Sequence, residues 1–138
     1  MSYTKRPLNQ EEINNVLPIL VKALLKTSPL KPLKAPQIVK GMNYLRVRDG
    51  KFKQVFTETL LRRMANHIRA NQILPLIADN NGYYVSYDLR DIQAEIDSLE
   101  DRIGGILHAI TGLKAIKQQI INDQINADPF GIKEDEWK

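Results

Sequence analysis

The most restrictive feature of the sequence is a run of apolar residues in its second half that are separated alternately by three and four positions. We call this run the seam; it comprises Leu89, Ile92, Ile96, Leu99, Ile103, Ile106, Ile110 and Leu113. The spacing places all of these side chains on one face of a helix over more than three heptads, which is typical of a coiled coil. The pattern predicts a long helix over residues 88–125. The seam either joins two copies of the chain into a homodimer, which we favour, or packs on the domain that precedes it.

The amino-terminal part of the chain predicts two helices. Asn9 followed by Glu12 resembles a capping box, and apolar residues recur at helical spacing from Ile13 to Leu24. Pro18 either kinks this helix or lies in the first turn of a new one. After a proline-containing loop, a second short helix is expected to begin near Pro36.

The link between this second helix and the next one, residues 46–56, is ambiguous. Asp49 and Gly50 fit a two-residue hairpin turn, and they fit equally a loop that joins two helices. We favour the loop.

The third helix carries the strongest indication of function. Thr57 is a suitable N-cap, and the apolar residues that follow it occupy one arc of the helix: Leu60, Leu61, Met64, Ala65 and Ile68. The opposite arc carries Thr59, Arg62, Arg63, Asn66 and Arg69. The pattern therefore predicts a helix with a buried aliphatic side and an outward basic side.

A β-hairpin is expected after this helix. Residues 73–77 are apolar, residues 83–87 are rich in strand formers, and the tip between them contains Asp79, Asn80, Asn81 and Gly82. Helices followed by a hairpin are the order of a winged helix. The sequence thus predicts a mainly α protein with a small β-hairpin: a winged helix-turn-helix domain over 1–87, the long coiled-coil-like helix over 88–125, and an acidic flexible tail over 126–138.

Charge is distributed unevenly along the chain. Residues 31–69 contain ten lysines or arginines and two acids, a net +8, whereas the chain from Asp88 onward contains eleven acids and six bases, a net −5. Such a block indicates a surface that faces a polyanion. A helix that enters the major groove needs donors for phosphates and base edges, so the candidate DNA-binding residues are Lys51, Lys53, Thr59, Arg62, Arg63, Asn66, Arg69, Asn80 and Asn81. The alternative for the arginines is an ordinary solvated helix face.

Catalysis finds little support in the sequence. The chain has no cysteine and two histidines, and it lacks a glycine-rich phosphate loop and a nucleophile elbow. We therefore expect a protein that is not an enzyme, with no catalytic residue, no metal site and no cofactor. It also lacks a long apolar run and a signal-peptide pattern, so a cytoplasmic location is expected.

The segment from Phe56 to Lys114 resembles small winged-helix proteins of bacteriophages and prophages. In those proteins a recognition helix is followed by a short strand with a proline, a Gly-Tyr strand and a long helix rich in Ile and Leu. The residues that carry the resemblance are Thr57, Leu60, Arg62, Ile68, Arg69, Leu74-Pro75-Leu76, Gly82-Tyr83-Tyr84-Val85, Ile96, Ser98-Leu99, Arg102 and Leu113. The resemblance covers less than half of the chain, and it implies a DNA-binding accessory or regulatory role in a bacterial host cell.

Two functions follow as hypotheses. The first is a homodimeric protein that binds double-stranded DNA, with or without sequence selectivity. The second is a phage-encoded adaptor or inhibitor that uses the same scaffold to bind a host nucleic-acid-processing protein, because a fold does not dictate a function.

Overall fold

The computed structural model describes residues 7–127, and it is mainly helical with one small antiparallel sheet. The elements are α1 (Leu17–Leu24), α2 (Ala35–Asp49), α3 (Glu58–Ala70), β1 (Leu76–Asp79), β2 (Gly82–Val85) and α4 (Leu89–Ala127). The predicted acidic tail lies outside the described residues from 128 onward, and its first two residues belong to α4.

The predicted capping box forms at the start of the first helical segment. The Asn9 side chain accepts a hydrogen bond from the Glu12 backbone N–H at 2.8 Å, and Glu12 accepts one from the Asn9 N–H at 2.9 Å. A π-helical turn, Glu12–Val16, leads directly into α1. Pro18 lies in the first turn of α1, where its missing N–H leaves no helical bond unmade.

The second helix is longer than the sequence pattern suggested. It continues through Arg46 to Asp49 and ends at Gly50, whose φ of 64° is the left-handed conformation that favours glycine after a helix. The hairpin interpretation of Asp49 and Gly50 is therefore wrong. The link to α3 is an extended loop instead, as we favoured, although it begins four residues later than residue 46.

Two aromatic side chains fasten this loop to the domain. Phe52 and Phe56 are buried in the core. Asn43 on α2 accepts a hydrogen bond from the Phe56 N–H at 2.8 Å and donates one to the Phe56 carbonyl at 2.9 Å. The start of α3 is thus fixed relative to α2.

The helix α3 packs its aliphatic side into the core. Leu60, Leu61, Met64, Ala65 and Ile68 are all buried, as predicted, beside residues from α1 and α2. The helix ends in a Schellman motif, in which the Ile73 N–H donates to the Ile68 carbonyl and Gln72 takes a φ of 57°.

The predicted hairpin is present but shorter than expected. Leu76 pairs with Val85 and Asp79 pairs with Gly82, so Asn80 and Asn81 form the turn. A third backbone segment joins its edge, because Leu33 and Tyr83 exchange two backbone hydrogen bonds of 2.9 and 2.7 Å. The sequence pattern did not indicate this pairing.

The chain divides into two compact units between Glu95 and Ile96, within α4. The first unit therefore includes the opening turns of α4 in addition to residues 7–87. The second unit, within the described residues, is the remainder of α4 up to Ala127.

Candidate nucleic-acid interface

The outer face of α3 presents three of the predicted contact residues. Thr59, Arg62 and Asn66 are exposed, one helical turn after another, and the buried aliphatic residues lie on the opposite side. Thr57 caps the helix by accepting a hydrogen bond from the Leu60 N–H at 3.1 Å. This face can donate hydrogen bonds through a guanidinium, an amide and a hydroxyl group.

Arg63 does not belong to this outer face. Its guanidinium donates to both oxygens of Glu12, at 3.2 and 3.3 Å, and to the Pro7 carbonyl at 3.1 Å. Glu12 is only 2% exposed and also accepts from Gln54 at 3.0 Å. Burial by itself would raise the pKa of Glu12, but the hydrogen bonds from Asn9, Gln54 and Arg63 together hold that pKa below its ordinary value. The expectation that Arg63 points outward is wrong, since it neutralises a buried carboxylate.

Arg69 is likewise turned toward its own domain. It donates to the Leu76 carbonyl at 2.9 Å and pairs with Glu95 at 3.3 Å. Glu95 is buried and also accepts from the Ala78 N–H at 3.2 Å. Arg69 therefore links α3 to the hairpin and to the first turns of α4, and its predicted outward orientation is also wrong.

The loop before α3 supplies two exposed cations. Lys51 and Lys53 flank the buried Phe52 and are themselves exposed. Phe52 anchors the backbone next to both lysines, and Phe56 anchors it again beyond Lys53, so the two ammonium groups extend from a segment that is fastened to the core. An open groove of about 590 Å³ between α1 and the end of α2 includes Lys51 in its wall, together with Lys22, Lys26 and Arg48.

The hairpin tip presents the two predicted asparagines. Asn80 and Asn81 are exposed, and the Asp79 carboxylate fixes the turn by accepting from the Asn81 N–H at 2.8 Å and from the Tyr84 hydroxyl at 2.8 Å. Lys34 reaches the same tip and donates to the Asn80 carbonyl at 3.1 Å. Sequence reasoning did not single out Lys34, because only the pairing of Leu33 with Tyr83 brings it beside the turn.

The seam on α4 is exposed in the single chain over most of its length. Leu89 is exposed, and Ile96, Ile103, Ile106 and Leu113 keep between 42% and 66% of their surface accessible. Ile92, Leu99 and Ile110 are half-buried. A helix face with this much apolar surface is typical of a helix that packs against another molecule.

Other kinds of site are not evident in the part of the chain that the structure describes. Residues 7–127 contain no group of three or more acidic, histidine or cysteine side chains placed to hold a metal ion. None of the helices within that range combines the length and the apolar character needed to span a membrane.

Comparison with protein-family models, with curated proteins and with solved structures gave no match to this chain. The assignment of a function therefore depends on the residues themselves.

Proposed function

We propose that the chain binds double-stranded DNA through a winged-helix domain, with α3 as the recognition helix and the β1–β2 hairpin as the wing, and that it acts as a homodimer joined by α4. The observation that carries this proposal is that the polar side chains of α3 fall into two groups, one exposed and one paired within the domain. Thr59, Arg62 and Asn66 are exposed, while Arg63 and Arg69 fasten the same helix to the domain.

The exposed groups on α3 have the chemistry that base edges require. A guanidinium donates two hydrogen bonds to the acceptors of guanine, and an amide both donates to and accepts from adenine. A threonine hydroxyl can hydrogen-bond to either base, and its methyl group can contact the methyl group of thymine. Arg62 and Asn66 lie one turn apart on a helix that is capped at both ends. These two residues would supply whatever selectivity the protein has.

Phosphate contacts would come from the cations beside the helix. Lys51 and Lys53 precede α3 on an anchored loop, and Lys34 lies at the wing tip with Asn80 and Asn81. Contacts of this kind orient a protein on the duplex without specifying the sequence.

The backbone arrangement supports the winged-helix interpretation. The hairpin follows α3 directly, and the Leu33–Tyr83 pairing ties it to the segment between α1 and α2. A wing held in this way has a fixed position relative to the recognition helix. The resemblance to bacteriophage proteins adds the proposal that the chain is a regulatory or accessory factor in the cytoplasm of a bacterial host.

The test is a binding titration with duplex DNA at several salt concentrations. Replacing both Arg62 and Asn66 by alanine should weaken binding to a preferred duplex about thirtyfold or more, because two base contacts are removed and each contributes roughly 1–3 kcal/mol. Replacing Lys51 and Lys53 by alanine should weaken binding to all sequences similarly and should reduce the slope of log K against log salt by about two.

Arg90→Ala is the matched control, since it also removes one exposed positive charge, from an arginine that pairs with Asp88 at the start of α4. It should leave affinity nearly unchanged. If Arg62→Ala, Asn66→Ala and the control bind duplex DNA equally at low salt, α3 is not a recognition helix.

One observation favours the second function, a phage-encoded adaptor or inhibitor that binds a host nucleic-acid-processing protein. Tyr44 and Val47 on α2 and Val55 in the following loop are large apolar side chains that are more than half exposed. Capture of one stoichiometric protein from a nuclease-treated bacterial lysate, lost on replacing Tyr44 and Val47 by serine, would favour this function over DNA binding.

A further inference from the structure

The structure assigns a direction to the pairing of α4: we infer that two copies of the helix associate antiparallel, in a register centred on His108. This inference rests on the proposed homodimer and specifies its geometry. It places Glu100 of each copy beside Lys114 of the other.

The seam defines a heptad frame in which its eight residues occupy positions a and d. In this frame Ile96, Ile103 and Ile110 are at a, and Leu99, Ile106 and Leu113 are at d. Position a recurs at residue 117, which is a lysine, and position d recurs at Ile120. The apolar face therefore continues beyond Leu113, with one charged residue within it.

Lys117 argues against a parallel pair. In a parallel, in-register pair each a residue meets the same residue of the other copy, so two ammonium groups would share one core layer. Bringing like charges together out of water is unfavourable. In an antiparallel pair a residues meet d residues, and Lys117 would lie against Leu99 of the other copy with its ammonium group reaching solvent.

The distribution of charge along α4 favours the antiparallel direction. From Ile96 onward the first turns contain Asp97, Glu100 and Asp101, whereas residues 102–122 contain Arg102, Lys114 and Lys117 and no acid. Antiparallel association brings the acidic start of one helix beside the basic part of the other. Complementary potentials of this kind select the orientation of a pair.

The register follows from the residues that flank the seam. Antiparallel helices bring e positions of the two copies together, and Glu100, Leu107 and Lys114 are consecutive e residues. Centring the pair on His108 brings Glu100 within two residues, about 3 Å along the axis, of Lys114 on both sides, and brings Leu107 equally close to its own counterpart. It also stacks Ile103 on Leu113 and Ile96 on Ile120. This arrangement gives a partner to Leu107, which is 54% exposed in the single chain.

Distances between single spin labels test the direction. The chain contains no cysteine, so His108→Cys, Ala115→Cys and Asn122→Cys each introduce one labelling site per copy on the outer face of the helix. In the antiparallel pair the axial separation of equivalent labels rises from near zero at residue 108 to about 21 Å at 115 and about 42 Å at 122, at 1.5 Å per residue. Equal distances at the three sites would mean a parallel pair and would overturn the inference while leaving the homodimer intact.

A charge exchange tests the register. Glu100→Lys or Lys114→Glu alone should weaken dimerisation about fivefold to tenfold, because each turns two attractive contacts into repulsive ones. The double variant Glu100→Lys/Lys114→Glu should restore the affinity of the unmodified protein in sedimentation. Failure of the double variant to recover would overturn the register.

A sedimenting monomer at high micromolar concentration would overturn both this inference and the proposed homodimer. DNA titrations of the α3 variants do not depend on the direction of α4. The titrations therefore test DNA recognition, and the spin-label distances test the pairing of α4, so the two can fail independently.

Discussion

Replacing Glu12 by glutamine removes a negative charge from the interior of the domain and leaves the shape of the side chain almost unchanged. One carboxylate oxygen of Glu12 accepts from the Asn9 N–H and from Arg63, and the other accepts from Gln54 and Arg63. Glutamine keeps one acceptor oxygen, but its amide NH₂ then faces the donors of Gln54 and Arg63. At least two charge-assisted hydrogen bonds are lost.

The expected cost is about 2–3 kcal/mol in the free energy of unfolding. A hydrogen bond to a charged group contributes roughly 1.5–3 kcal/mol, and removing one partner of a fully buried ion pair costs about 3–5 kcal/mol. The lower range applies because Arg63 keeps 27% of its side chain exposed and can turn to water. Urea denaturation of the variant and of the unmodified protein measures the difference.

Glu11→Gln is the matched control for this substitution. Glu11 lies on the same turn but is exposed, where it accepts from Asn15 at 2.6 Å, so its replacement should change stability by less than about 0.5 kcal/mol. A cycle with Arg63→Met should give a coupling energy of about 1–3 kcal/mol between positions 12 and 63. Equal effects of Glu11→Gln and Glu12→Gln, or a coupling energy near zero, would refute the role of this ion pair.

The effect should also depend on pH. Because the pKa of Glu12 is lowered by folding, its stabilising contribution is complete above the ordinary value of 4.5 and is lost as the pH falls through the lowered value. The deficit of Glu12→Gln should therefore shrink in acid, where the protonated glutamic acid and the glutamine become equivalent.

Two further perturbations test the hairpin. Gly82→Ala should destabilise the protein by about 2–4 kcal/mol in urea denaturation, because the φ of Gly82 is 120° and an added Cβ would lie 2.5 Å from the Leu33 carbonyl oxygen. The control is Gly41→Ala, in a helix with open space around it, which should be neutral or stabilising by up to about 1 kcal/mol. Equal effects of the two substitutions would count against the close approach of Gly82 to Leu33. Burial and the hydrogen bond to Asp79 raise the pKa of Tyr84 from 10.0 to about 12. The neutral form of Tyr84 therefore contributes stability that is complete below pH 10 and is lost between pH 10 and 12. Tyr84→Phe should reduce the loss of stability over this pH range by about 2–3 kcal/mol, and an unchanged loss would exclude Tyr84 as the cause.

Local signals in the sequence predicted the elements well. The capping box at Asn9 and Glu12, the N-cap at Thr57 and the buried arc of α3 depend on residues within a few positions of each other, and the structure contains all of them. Gly50 shows where such signals fail. A glycine suits a hairpin turn and a helix end equally, and the outcome here goes with burial of Phe52 and Phe56, which local signals do not show.

The inward pairing of Arg63 and Arg69 could not be predicted from helix periodicity. Arg63 and Arg69 lie on the polar arc of α3, but their carboxylate partners, Glu12 and Glu95, are distant in sequence. The sequence pattern explained Glu12 as a capping residue, and it gave no sign that Glu12 also pairs with Arg63. The pattern therefore identified Thr59, Arg62 and Asn66 as exposed and overcounted the cations available to a ligand.

The two hydrogen bonds between Asn43 and Phe56 involve only the main chain of Phe56. They constrain the number of residues between α2 and α3, but they do not depend on the side chains of those residues. Lys51, Lys53 and Val55 can consequently be exchanged without moving α3, whereas inserting or deleting a single residue would pull Phe56 out of its place. We therefore expect this loop to tolerate substitutions but not changes in length. Substitutions would change the exposed surface beside α3 without moving the helix.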